Sequence, residues 1–210
     1  TNSRGSDRDG YREEFVRLGL ATAPGVPGSL PYSEHYLADF EERYCYDRYW
    51  NADAREQPGT RFMCTGRVFT MVGDCGERVF VDRKTDLEQF RHEYFLLFLI
   101  PHFHKAALLM LADRLVDAMN TLDVTKRDSV RQFRVVIRHT LGVFLRFSHR
   151  YWSHQVSDHS QVKELYRMIS DHLGTDRLHA ELRSELEDMS QYLDSEALRR
   201  QGETMVRLTV

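Results

Sequence analysis

The sequence predicts an α+β chain: a small N-terminal β element, then a mainly helical region ending in a long stalk helix. Three observations predict it. Phe62–Val72 concentrates β-branched and aromatic residues and is followed by the Gly-containing turn Gly73-Asp74-Cys75-Gly76. From Thr85 onward, apolar residues recur at helical spacing. The last 36 residues carry one apolar seam, Leu178, Leu182, Leu186, Met189, Leu193, Ala197, Gln201, Met205 and Leu208, in steps of 4, 4, 3, 4, 4, 4, 4 and 3. Only Gln201 in that seam is polar, and no Gly, Pro or polar tail closes the helix before Val210.

Residues 1–31 are polar and then rich in Gly, Pro and Ala, which predicts a flexible arm. Residues 32–84 form a small α/β portion. Ser33 is placed to cap a short helix with an aromatic face of Tyr36, Phe40 and Tyr44. Asn51–Thr60 reads as a polar loop, and Phe62–Val72 and Val79–Val81 as two strands of a hairpin. Residues 85–174 form a helical body. Thr85-Asp86-Leu87-Glu88 has the form of a capping box and opens a helix expected to run, kinked at Pro101, to about Asn120. A second helix starts near Asp128 and ends around His154, with Phe133, Val136, Ile137, Leu141, Phe144 and Leu145 on one side. A third starts near Asp158-His159-Ser160-Gln161 and stops at Gly174. Residues 175–210 are the stalk helix, with Thr175 or Asp176 as its cap.

The charge balance of 29 basic and 32 acidic residues, with no block of Lys or Arg standing out, argues against nucleic acid as the main partner. Cys45, Cys64 and Cys75 are odd in number and form no CxxC pair, which suits free thiols in a reducing compartment. Pro101, His102, His104 and Lys105 interrupt the apolar run Tyr94–Leu111. What remains falls short of the ~20 residues of a membrane span, so a buried core helix and a soluble fragment are expected.

Catalytic and transition-metal signatures are absent. There is no GxSxG, Walker A, GxGxxG, HExxH or CxxC. His102 and His104 point apart on a helix, and the five-residue steps of His149, His154 and His159 scatter around one. Turn chemistry accounts for the glycines beside Cys75, and a satellite core accounts for Tyr44, Tyr46, Tyr49 and Trp50. On the terminal helix Glu181, Glu185, Glu187, Asp188, Asp194 and Glu196 set a negative bias. A solvated face explains it; the alternative is a hard-cation site shared between subunits.

Glu203-Thr204-Met205-Val206-Arg207-Leu208-Thr209-Val210 resembles the entry to the first membrane span of CorA-like divalent cation transporters, where a stalk-helix Met is followed by Leu three residues later, then Thr and an apolar residue. Glu187–Asp194, Leu198–Gln201 and Leu97–Ala106 resemble a proteobacterial branch of that family; the likeness covers roughly residues 85–210. The resemblance implies a homopentamer on the cytoplasmic face of the bacterial inner membrane, transporting Mg²⁺ without covalent chemistry. It implies membrane spans and a Gly-Met-Asn motif beyond Val210, with Met205 and Leu208 as apolar rings at the pore entrance. Glu187, Asp188 and Asp194 are then candidate regulatory metal residues, and Leu178, Leu182, Leu186, Met189 and Leu193 the seam facing other copies. The alternatives are a zinc-transporting relative, a soluble helical oligomerisation or interaction module, and a hydrolase using the acidic helix.

Overall fold

The computed structural model describes residues 3–26, 30–50, 60–73, 88, 90–152 and 156–208. Of the described residues 73% are helical, and a small three-stranded antiparallel sheet accompanies them, an α+β fold. The helices are α1 (Ser3–Leu20), α2 (Glu34–Tyr44), α3 (Phe95–Asn120), α4 (Arg127–Arg150), α5 (Ser160–Leu173) and α6 (Thr175–Leu208); a π-helical turn, Phe90–Tyr94, leads into α3. The strands are β1 (Cys45–Tyr49), β2 (Thr60–Cys64) and β3 (Phe69–Gly73), in sheet order β1-β2-β3. Two compact units result: Thr1–Ile100 with Ser157–Leu173, and Pro101–Val156 with Gly174–Val210. The boundary expected at 84/85 lies outside the described residues.

In the first unit, α2 begins as its sequence predicts, with the Ser33 hydroxyl accepting from the Tyr36 N–H at 3.3 Å. Its aromatic face is a ladder continuing from Tyr32, with centroids 4.9 Å (Tyr32–Tyr36), 6.4 Å (Tyr36–Phe40) and 4.8 Å (Phe40–Tyr44) apart. The arm expected over residues 1–31 contains α1, whose Phe15 and Val16 are buried with Leu37, Phe40 and Met63. Its helical signal is short, and the polar first half of the segment masks it.

The hairpin also differs from expectation. Phe62–Val72 is two strands, β2 and β3, joined through Thr65–Val68 in a turn where Gly66 takes φ +76° and the Thr65 N–H donates to the Val68 carbonyl at 3.1 Å. Gly66 supplies the positive φ that a residue with a Cβ resists. The first strand, β1, grows from the tyrosine-rich stretch read as a satellite core, with Cys45 opposite Met63 and Tyr46 opposite Phe62. Val79–Val81, Cys75, the capping box at 85–88 and most of the 51–60 loop lie outside the described residues, Thr60 and Glu88 excepted.

In the second unit, Leu108, Leu111, Leu115 and Ala118 of α3 pack with Phe133, Ile137, Phe144 and Phe147 of α4 and Leu182, Leu186 and Leu193 of α6. Pro101 lies inside α3, where it cannot donate to the Leu97 carbonyl. The expectation of a buried α3 holds for one face only. Phe90–Asn120 is long and apolar enough to cross a membrane by length and composition, with mean hydropathy 1.7, yet only 28% of its most apolar window is buried. Phe103, Leu109, Met110, Val116 and Met119 are exposed.

Candidate functional site

The terminal helix α6 starts where Gly174, at φ +65°, ends α5. Thr175 is buried there, and Asp176 places a carboxylate in the first turn, where it complements the helix dipole. Along its exposed side run the pairs Arg177–Glu181 (2.8 Å), Arg183–Glu187 (2.8 Å) and Glu196–Arg199 (3.0 Å). The first two place Arg N-terminal to Glu, the weaker order for an i,i+4 pair, and are solvent-screened, whereas Glu196 is largely covered.

The apolar seam is occupied within the chain. Leu182, Leu186 and Leu193 are 1%, 0% and 3% exposed in the core, with Leu178 and Met189 packed against it. This corrects the expectation that these five residues face other copies. Spacing identifies an apolar face but cannot say what covers it, and α4 carries the matching face. Two contacts set their antiparallel register: the Arg134 guanidinium donates to the Leu193 carbonyl at 3.3 Å, and Ser148 Oγ lies 2.8 Å from His179 Nε2.

Glu187, Asp188 and Asp194 are all exposed, and Glu187 is engaged by Arg183. Among the described residues no three His, Cys, Asp or Glu side chains converge as a metal-holding group. Mg²⁺ asks for octahedral oxygen ligation with retained waters. These carboxylates could offer it single oxygens, so a shared set would have to draw on more than one copy. Met205 and Leu208 lie in α6, but their side chains are outside the described residues.

Sequence reading did not find a histidine–tryptophan stack in the second unit. Trp152 lies against His179 (centroids 4.4 Å, 20° interplanar) and His104 (4.9 Å, 36°), and Phe144 lies 4.9 Å from His179. His104 is 3% exposed, and its Nε2 meets the Tyr151 carbonyl at 2.8 Å. A carbonyl only accepts, so Nε2 must carry the proton. Its three ring-bearing members come from α3, the end of α4 and α6, with nothing in their sequence spacing to join them. The packing role expected of the histidines is thus what His104 performs.

The first unit holds a connected charge cluster. Arg61 on β2 grips Asp47 at 2.7 and 2.9 Å and reaches Glu41 at 3.3 Å; Arg12 also bonds Glu41, at 3.0 Å, and Glu34. The Arg61 guanidinium lies 5.0 Å from the Phe15 ring centroid. Burial alone would lower the pKa of Arg61, but the Asp47 bonds and nearby charges raise it overall. Beside it, burial pushes the Cys45 thiol up to about 12 despite Arg61, so it is a poor nucleophile. Tyr46 donates to Glu164 at 2.5 Å, and Arg48 bonds Ser160 at 3.0 Å. A shallow polar recess of about 280 Å³ is lined by Arg43, Glu164, Arg167, Met168, Asp171 and His172, with His172 Nε2 3.0 Å from the Arg43 carbonyl. Here the bonds among the described residues tie helices to the sheet through mixed charges. No family model matches the chain, and the curated proteins and solved structures give no match either.

Proposed function

We propose that this chain is the cytoplasmic, ion-sensing and pore-entry part of a CorA-like Mg²⁺ transporter. The observation that supports it best is the division of labour along α6. Its first half is anchored in a core by Leu182, Leu186 and Leu193. It then continues unbroken from Leu193 to Leu208, about 22 Å at ~1.5 Å per residue, with Met205 and Leu208 near its end. A rigidly held helix that continues so far beyond its buried anchor is suited to carrying a change in the domain toward a pore.

In this reading Met205 and Leu208 repeat around the symmetry axis as narrow apolar rings, which resist a hydrated cation by dewetting. Mg²⁺ held by carboxylates of neighbouring copies favours the closed arrangement through its differential affinity for the two states. The ion is cargo and regulator, and no bond to it is made or broken covalently. The test is ion flux into vesicles carrying the protein extended past Val210 through its spans. Mg²⁺ uptake that falls as internal Mg²⁺ rises supports the reading, uptake of Zn²⁺ alone moves it to the zinc-transporting relative, and no flux of either overturns it. A polar continuation after Val210 would favour an interaction module, a reading that the exposed apolar side of α3 keeps in play.

A further inference from the structure

Helix α4 holds six arginines and a single acid, Asp128. Arg127, Arg131, Arg138 and Arg146 are exposed, and none has a carboxylate partner among the described residues. At 100° per residue Arg131 and Arg138 share a face with Val135 and Gly142, turned away from the buried Phe133, Ile137 and Phe144. Val135, 63% exposed, and Leu145, 47% exposed, give this basic face an apolar centre.

Helix α6 offers a surface of opposite sign in the same unit. Glu181, Glu185, Asp188 and Tyr192 follow in steps of 4, 3 and 4, beside the buried seam. Glu185 and Asp188 are exposed and unpaired among the described residues, and Tyr192 is 50% exposed. Glu185 and Asp188, like the arginines of α4, contribute no ion pair to the fold among the described residues, whereas complementary faces on one chain can select its own copies.

We infer that the basic face of α4 in one copy docks on the acidic Glu181–Tyr192 stripe of α6 in the next. The contact is heterologous, the kind that closes into a ring when the rotation allows. The internal register supports it. Within a chain Arg134 lies level with Leu193 and Ser148 with His179. Copies related by an axis along α6 stay at the same level, so Arg138 of one copy meets Asp188 of the next, and Val135 meets Tyr192. This pairing replaces the leucine seam, which the core already consumes. It rests on the homo-oligomer part of the transporter reading and supplies that oligomer with an interface.

The test is the self-association of the 210-residue chain by sedimentation equilibrium up to about 1 mM, at about 50 mM and about 500 mM salt. Association is expected at low salt and is weakened at high salt. R138E alone and D188K alone each weaken it about tenfold or more, because each leaves like charges facing. An equimolar mixture of the two variants restores it, since each keeps the face that the other lacks. Unchanged urea midpoints show that both variants fold. A chain monomeric at low salt, or one whose association ignores these reversals, overturns the interface. So does a basic face that binds a DNA oligonucleotide while the chain stays monomeric. Flux is a separate readout: Mg²⁺ transport with indifferent reversals removes the interface alone, and charge-dependent assembly without transport removes the transporter alone.

Discussion

Replacing Leu186 by Ala separates a seam used inside the chain from one used between chains. Leu186 is fully buried among residues of α3, α4 and α6. The substitution removes about three carbons, worth about 2.4 kcal/mol at ~0.8 kcal/mol per buried CH₂. The cavity left behind adds to this and brings the expected loss to about 3–5 kcal/mol. In a chain of this size each kcal/mol lowers the unfolding temperature by about 2–4 °C, so L186A is expected to unfold roughly 6–20 °C lower. The assay is urea unfolding followed by far-UV circular dichroism at two protein concentrations about a hundredfold apart. The predicted loss is the same at both, because the partners of Leu186 belong to its own chain. L198A, at a side chain 69% exposed, is the control and should shift stability by less than about 0.5 kcal/mol. A loss for L186A that appears only at the higher concentration would return the seam to other copies and refute the reasoning.

Three further outcomes are expected. R61A should destabilise the first unit by about 2–3 kcal/mol in the same urea assay, since Asp47 and Glu41 lose charge-assisted bonds; R61K should recover little, because an ammonium cannot make the bidentate grip on Asp47. G174A should cost about 1–2 kcal/mol through its backbone alone, because φ is +65° while no atom lies within 4 Å of an added Cβ. Burial lowers the His172 pKa, against a smaller raising effect of the Arg43 carbonyl, so the unfolded chain takes up this proton first as pH falls. Its contribution is intact above about pH 6.5 and is lost as pH falls below that value toward the lowered folded-state pKa. Unfolding midpoints across pH 8 to about pH 5 should therefore fall less steeply in H172Q.

What was legible in the sequence was what local periodicity encodes. The Ser33 cap, the α2 ladder, the end of α3 at Asn120 and the Gly174 stop are each written within a few residues of where they act. The partition into units was not, because Ser157–Leu173 joins residues far upstream, with α5 held to the sheet through contacts such as Glu164 to Tyr46 and Arg48. Gly66 was overlooked because strong strand formers flank it on both sides. The arginines of α4 are dispersed in the linear sequence and form no block, yet a helix gathers Arg131 and Arg138 on one side. The same limit explains the seam: periodicity recorded that Leu182, Leu186 and Leu193 share a face, and only the fold of α4 onto α6 shows what lies against it.

The central claim is that α6 links an ion-responsive domain to a pore, and Mg²⁺ flux through the extended protein in vesicles tests it most directly. Mg²⁺ should enter down its gradient, slow as Mg²⁺ accumulates on the domain side, and lose that slowing in D188N/D194N. Vesicles that admit no Mg²⁺, or a flux unaffected by Mg²⁺ on the domain side, would contradict the account.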